Sequence, residues 1–229
     1  MSKELYERIW DGKSAPSSRA PEPGSRTDIA LRLIGTGNHA IEVGCGDGQF
    51  GARVAAVYRH YIGFDIAERA VALARARGLD AQLHDIGLGP LPVAGASADL
   101  VIALDVLEHV FDPPGFLAEC ARVLGPGGRL LLSTPNIRSL PRLTALALRG
   151  RFPRTSSDPG YDGGHLHYFT SRDLAALAAA AGLRPQRRLG VWPLAGGQAA
   201  LKRALAAILP SGWVREWLSP GILIEARKP

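Results

Sequence analysis

Lysine is scarce in this 229-residue chain. Only Lys3, Lys13, Lys202 and Lys228 occur, so the formal net charge of +6 is carried by arginine. The arginines are scattered, and no basic motif interleaved with aromatics appears. Nucleic acid is therefore not the expected partner, and an anionic substrate or acidic partner is the better use of the charge. Cysteine is nearly absent: Cys45 and Cys120 can build neither a disulfide framework nor a cysteine metal cluster. Aromatic residues make up only 7%. No apolar run reaches the length of a membrane span, and the first residues lack the apolar core of a secretory signal. The expectation is a cytoplasmic chain without a membrane span. Internal repeats are also missing. What remains, 46% hydrophobic and 21% charged, is ordinary for a globular protein able to bury a sizeable core.

Against these absences stands one dense motif, Ile41-Glu42-Val43-Gly44-Cys45-Gly46-Asp47-Gly48. An apolar run enters a loop with glycine at every second position, and the following residues read as a helix. That order is strand, tight turn, helix, the entry to a nucleotide site. The next apolar run, Tyr61 to Phe64, ends on Asp65, where an acid about 20 residues on would hold ribose hydroxyls. The spacing is E-x-G-x-G-x-G rather than G-x-G-x-x-G. A carboxylate at Glu42 would repel a pyrophosphate but attract an ammonium or sulfonium group. The motif thus disfavours an NAD(P) oxidoreductase and points to S-adenosylmethionine, which carries both cations and no phosphate.

Strand and helix alternate from His39. Strands are expected at 39–43, 60–65, 81–84, 100–104 and 129–133, with helices at 48–58, 67–75 and 113–124 between them. Gly125 to Gly128 reads as the turn before the fifth strand. This rhythm predicts a doubly wound parallel sheet with its ligand at the carboxyl ends of the strands. Upstream, residues 1–35 form a helical and lid segment: a short amphipathic piece with Tyr6 and Trp10, a Ser/Pro/Gly/Arg stretch from Gly12 to Arg26, and a helix capped by Thr27 or Asp28 and running to Ile34. Residues 36–229 form the main domain. Insertions at about 137–165 and 192–219 are expected to cover the substrate cleft. A helix at 171–181, strands at 184–191 and 221–226, and two helices within 195–218 complete the expected elements. Trp192, Trp213 and Trp217 with Lys202, Arg203 and Arg215 read as helices packed on the sheet edge in preference to a lipid-touching surface.

Each strand end carries a candidate ligand group: Glu42, Asp65, then His84-Asp85-Ile86, then Asp105. With these, the chain resembles the class I S-adenosylmethionine-dependent methyltransferases over about residues 36–136. The matching segments are Ile41–Gly48, Gly63-Phe64-Asp65, Leu83-His84-Asp85-Ile86, Asp105-Val106-Leu107-Glu108-His109-Val110 and Arg122 to Asn136. A further likeness to the MetW group, linked to methionine biosynthesis, rests on Arg77-Gly78-Leu79, Asp85 to Leu91 and Gly150 to Thr155. The Asp105–Val110 segment is more similar to the ubiquinone-type O-methyltransferases. The resemblance implies a Rossmann-like α/β fold with helices on both faces of a seven-stranded sheet, order 3-2-1-4-5-7-6, mostly parallel with the last strand antiparallel. It implies S-adenosylmethionine as cofactor, with S-adenosylhomocysteine as product. The cofactor-binding set would be Glu42, Gly44, Cys45, Gly46, Gly48, Gln49, Asp65, Ile66, Asp85, Ile86, Leu104 and Asp105.

Methyl transfer needs positioning and a dry site first, and a base only where the nucleophile must lose a proton. His109, His165 and His167 are the candidates, since histidine titrates in the right range. His165 and His167 alternate in an extended segment, so at most one of them enters the cleft. No metal is expected, because two histidines would need a third ligand that the spacing does not place. The expected function is methylation of an oxygen or nitrogen of a small biosynthetic acceptor. The alternatives kept open are a non-catalytic MetW-like accessory protein, and a homodimer as the oligomeric state.

Overall fold

The computed structural model describes residues 3–11, 20–156, 161–194 and 199–229. Seven strands form one sheet: β1 Gly37–Val43, β2 Tyr58–Asp65, β3 Ala81–Leu83, β4 Ala98–Leu104, β5 Leu124–Pro135, β6 Arg184–Val191 and β7 Gly221–Arg227. Their order is β3-β2-β1-β4-β5-β7-β6. All neighbouring pairs up to β5 are parallel, whereas β7 runs antiparallel to both β5 and β6. This is the α/β Rossmann-like sheet that the resemblance implies.

The parallel strands are buried on both faces, which is why they read as nearly unbroken apolar runs. Ile41, Val43, Val101, Ala103, Leu130, Leu132, Ile222 and Ile224 belong to one apolar layer. Their alternates Ala40, Leu100, Ile102, Leu131 and Leu223 belong to the other. The first layer packs against α5, Pro113–Val123, and α7, Ser171–Ala180. Both helices start on local caps. Asp112 accepts the Gly115 N–H at 3.0 Å, and Thr170 and Asp173 form a reciprocal capping box.

The second layer receives α2, Arg26–Leu33, whose Ile29 and Ala30 are buried, and α3, Gly51–Ala55. Ser25, rather than Thr27 or Asp28, caps α2 by accepting the Asp28 N–H. Asp28 instead accepts the Gly24 N–H at 2.6 Å. At the other end of α2, the Arg129 guanidinium gathers the carbonyls of Leu33 and Ile34 and pairs with Glu225 at 3.3 Å. A cation at a helix C-terminus satisfies its orphan carbonyls and its dipole.

Several boundaries differ from the sequence expectation. The expected helix 48–58 shortens to α3, because residues 46–50 turn and β2 already begins at Tyr58, whose hydroxyl donates to the Ile34 carbonyl at 2.8 Å. Gly125 to Gly128 is an irregular stretch inside β5 and not a free turn. The pairing jumps from Ala98↔Leu124 to Leu100↔Arg129, and Gly127 and Gly128 exchange hydrogen bonds with Lys228. Part of the expected lid, residues 12–19, lies outside the described residues. The part next to α2 is tied down, since the Pro23 and Gly24 carbonyls accept N–H groups from Leu194 and Trp192.

The remaining helices are α1 Lys3–Asp11, α4 Glu68–Ala76, α6 Leu140–Arg149 and α8 Ala199–Ile208. A helical turn Ser211–Trp213 continues into a π-helical turn Val214–Leu218, which packs on β6 and α6. No helix among the described residues is long and apolar enough to cross a membrane. Leu131 is fully buried in the central part of the sheet, whereas Leu148 on α6 is 82% exposed. Leu131→Ala is expected to lower unfolding free energy by about 2–5 kcal/mol. Leu148→Ala should change it by less than about 0.5 kcal/mol. Urea denaturation of both variants measures the difference.

Candidate functional site

Parallel pairing places the carboxyl ends of β1, β2, β3 and β4 on one rim, and a cavity of about 280 Å³ opens there. Val43, Gly44, Gly46, Phe64, Asp65, Ile66, His84, Ile86, Leu104, Asp105, Val106, Glu108 and His109 line it from the strand ends. Tyr6, Ile9 and Trp10 of α1 and Arg26 of α2 close one side, and Thr155, Ser156, Gly163 and His165 close the other.

The glycine loop is shaped by its hydrogen bonds. Gly44 and Cys45 N–H groups both donate to the Phe64 carbonyl, at 2.7 and 3.0 Å. The Gly46 N–H donates to Asp65 Oδ2 at 2.9 Å, and the Ala67 N–H donates to Asp65 Oδ1 at 2.9 Å. Gly44 has φ +73°, and a Cβ there would lie 2.5 Å from Val106 Cγ2, so only glycine fits. A Cβ on Gly46 would lie 3.0 Å from the Trp10 ring. Gly48 faces α4 instead, against Ala74 and Leu79, and Asp47 anchors the far side of the loop to Arg77 at 3.0 Å. Burial raises the Asp65 carboxyl pKa, and the backbone N–H groups it accepts oppose that shift.

Glu42, Cys45, Gly48, Gln49 and Asp85 are not among the cavity-lining residues. Glu42 is buried beneath the loop, where the Tyr61 hydroxyl donates to Oε2 at 2.5 Å. Burial pushes its pKa up to about 8, against the opposing Tyr61 hydrogen bond. It thus lies beneath the loop and outside the cavity lining. The Cys45 thiol is also buried, and burial raises its pKa. Asp85 closes its own turn by accepting the Gly87 N–H at 2.8 Å, so His84 and Ile86 reach the cavity instead. The Gln49 N–H donates to Asp47 Oδ1 at 3.1 Å.

Asp105 lies at φ +55°, a left-handed conformation that non-glycine residues adopt at a cost. Its Oδ1 accepts the Ser133 hydroxyl at 2.6 Å, its N–H donates to the Ser133 carbonyl at 3.0 Å, and its Oδ2 pairs with Arg26. Three residues later comes Glu108, 1% exposed, with no hydrogen bond to either carboxylate oxygen. Burial first, and then the Asp105 charge, drive its pKa well above the ordinary range. Two imidazoles face it: His109 Nε2 at 4.0 Å and His165 Nε2 at 3.9 Å from Oε1.

The backbone explains which histidine enters. Leu166 and His167 N–H groups both donate to the Glu108 carbonyl, at 2.8 and 3.1 Å. Alternation then turns His165 into the cavity, exposes Leu166, and leaves His167 outside the lining with its ring 6.0 Å from Phe169. The His165 Nδ1 lies 2.5 Å from Thr155 Oγ1, and that hydroxyl donates to Asp162 Oδ2 at 2.9 Å. Burial raises the Asp162 pKa, but hydrogen bonds from Ser156, Thr155 and Tyr168 outweigh it and hold the carboxyl low. Glu108, Arg26, Thr155 and Ser156 are polar lining residues that the sequence did not single out. The Glu108-His109 adjacency at a strand end was the one local signal for any of them. No described residue of 192–219 lines the cavity, because that segment is held on the outer edge at β6 and α6.

A family model described as a methyltransferase domain matches residues 20–187. A probable S-adenosylmethionine-dependent methyltransferase of Mycolicibacterium smegmatis is 35% identical over 164 residues, 70% of this chain and 57% of its own. A ubiquinone biosynthesis O-methyltransferase of Xanthomonas oryzae is 34% identical over 153 residues, 64% of this chain and 63% of its own. The chain thus spans less than two thirds of the length of either relative. An S-adenosylmethionine-dependent methyltransferase structure from Mesorhizobium loti superposes with TM-score 0.63 at 19% identity, over 90% of this chain and 99% of that one. The [4+2]-cyclase SpnF superposes with TM-score 0.64 at 21% identity, over 99% and 92%. One sheet therefore hosts more than one chemistry.

The Glu42–Tyr61 pair generates a pH test. Unfolded, Glu42 titrates near 4.5; folded, it keeps its proton to about pH 8. Between those values the folded state holds a proton that the unfolded state has lost, so stability falls as pH rises. The contribution is at most about 1.4 kcal/mol per pH unit. Glu42→Gln, which keeps an acceptor for Tyr61, should flatten that slope between pH 5 and pH 8 in urea denaturation.

Proposed function

The chain belongs to the class I S-adenosylmethionine-dependent methyltransferases, and from that membership we propose that it methylates an oxygen or nitrogen of a small biosynthetic acceptor. The observation that carries this reading is the pairing of two unlike ends in one cavity. One end is the glycine loop with Asp65; the other is the buried Glu108 with His109 and His165.

The residues at the first end suit the donor. Gly44 and Gly46 present backbone without side chains, and Asp65 offers an anionic edge for ribose hydroxyls. Arg26 supplies a guanidinium for a carboxylate. Asp65 and Asp105 together would repel a pyrophosphate and favour a ligand that carries cations. When bound, the donor supplies a methyl carbon already activated by its sulfonium, with a neutral thioether as leaving group.

The protein's own residues then have three tasks. Tyr6, Ile9 and Trp10 of α1 cover the loop and exclude water. Asp105, fixed by Ser133 and Arg26, holds the rim between the two ends. The Glu108–His109–His165 group faces the acceptor and governs the loss of its proton, with His165 held by Thr155 and, through it, Asp162. The relatives named for O-methyl transfer favour oxygen as the acceptor atom.

Transfer from labelled S-adenosylmethionine to small hydroxyl and amine compounds tests the proposal, with calorimetry of S-adenosylhomocysteine beside it. Asp65→Ala should weaken S-adenosylhomocysteine by about tenfold or more. His165→Ala and Glu108→Gln should lower kcat by about 100-fold or more while leaving that affinity within about threefold. His167→Ala should act like wild type. Intact binding with no labelled product from any acceptor would favour an accessory role, and unchanged turnover in both cavity variants would remove them from the mechanism.

A further inference from the structure

Glu108, His109 and His165 each offer one ligand atom, and these atoms all lie within 4.8 Å of one another. Resting on the methyl-transfer function above, we propose that this triad holds a divalent transition-metal ion whose open positions take the acceptor's hydroxyl oxygen.

Three independent features support the site. The first is the carboxylate itself: Glu108 is 1% exposed, lines the cavity, and makes no hydrogen bond through either oxygen. Burying a carboxylate without partners is costly, and it is compensated by a retained proton or by a cation. The second is the orientation of both rings. His109 Nδ1 lies 3.4 Å from the Gly164 carbonyl, and His165 Nδ1 lies 2.5 Å from Thr155 Oγ1 and 3.5 Å from Asp162 Oδ2. With Nδ1–H donating outward on each ring, both Nε2 lone pairs point toward Glu108. That arrangement, with an outer acceptor on the far nitrogen, is how proteins prepare ligating imidazoles.

The third is reach. Glu108 Oε1 is 4.0 and 3.9 Å from the two Nε2 atoms. In a tetrahedral site with bonds of 2.0–2.1 Å the ligands sit about 3.3 Å apart, so each Glu108–imidazole pair must draw in by about 0.6 Å, and the two rings, whose ligand atoms lie within 4.8 Å, by up to about 1.5 Å. Closing the site therefore takes a shift of the Glu108 carboxylate and of at least one imidazole.

Two imidazoles and one carboxylate select Zn²⁺, Fe²⁺, Mn²⁺ or Co²⁺ over Mg²⁺, which prefers oxygen ligands. Three protein ligands leave positions open for substrate. A hydroxyl oxygen held there has a lowered proton affinity and releases its proton to water. Its lone pair then forms the O–CH₃ bond as the S–CH₃ bond breaks, the sulfur keeping that electron pair and the metal its oxidation state. The acceptor class is therefore an alcohol or phenol, not an amine.

The test uses the full chain after chelation, titrated with Zn²⁺, Mn²⁺ and Mg²⁺ alone by calorimetry, and with Co²⁺ by visible absorption. One equivalent of Zn²⁺ should bind, Mg²⁺ at least about tenfold more weakly. Glu108→Gln and His165→Ala should abolish the Co²⁺ d–d bands. Thr155→Val, which touches no metal, should cost about 10–100-fold in Zn²⁺ affinity. His60→Ala, at the exposed His39–His60 stack, should change nothing. S-adenosylhomocysteine binding is measured on every variant to certify folding. Intact S-adenosylhomocysteine binding with no uptake of Zn²⁺ or Co²⁺ by the chelated chain, or equal Zn²⁺ binding by Glu108→Gln, overturns the metal site alone. Loss of S-adenosylhomocysteine binding in the wild type overturns the methyl-transfer reading instead.

Discussion

The cavity depends on one carboxylate. Asp65 ends β2 and spends both oxygens on backbone N–H groups, one in the glycine loop after β1 and one at the start of α4. It thereby fixes the distance between two adjacent strand ends, and every other lining residue is measured from that seam. Removing it would leave the buried Ala67 N–H and the half-buried Gly46 N–H unpaired, which costs more than the bonds themselves contribute. Its placement follows from the parallel pairing of β1 with β2, in which Val43 sits opposite Phe64. An antiparallel partner would have put the acid at the far edge of the sheet.

The two ends of the cavity are built on different principles. The donor end consists largely of main chain, held open by glycines whose missing side chains make room for Val106 and Trp10. The acceptor end consists of side chains, and its polar groups come from segments far apart in the chain: Glu108 and His109 after β4, Thr155 and His165 after α6. Arg26 and Asp105 meet at the boundary, so α2, β4 and β5 share one ion-paired and hydrogen-bonded junction.

Most of the architecture was legible because it is periodic. The apolar runs of β1, β2 and β4, the glycine loop, and the acids at strand ends are local patterns, and the structure keeps them on one rim. What was not legible depends on contacts between distant residues. Gly125 to Gly128 looked like a turn because glycine and proline punctuate chains, but pairing with Lys228 draws them into β5. Glu42 carried the right charge in the right motif, yet Tyr61, 19 positions on, turns it beneath the loop. The alternation of His165 and His167 was visible, whereas the choice between them needed the Glu108 carbonyl. The third potential ligand escaped notice because burial without a partner has no signature in one dimension.

The indole of Trp10 lies against Gly46, on the side of the donor end that α1 covers. An indole so placed changes its emission when the neighbouring dielectric changes. The chain thus carries an intrinsic fluorophore at the loop, and occupancy of the cradle can be followed optically without label, turnover or a known acceptor.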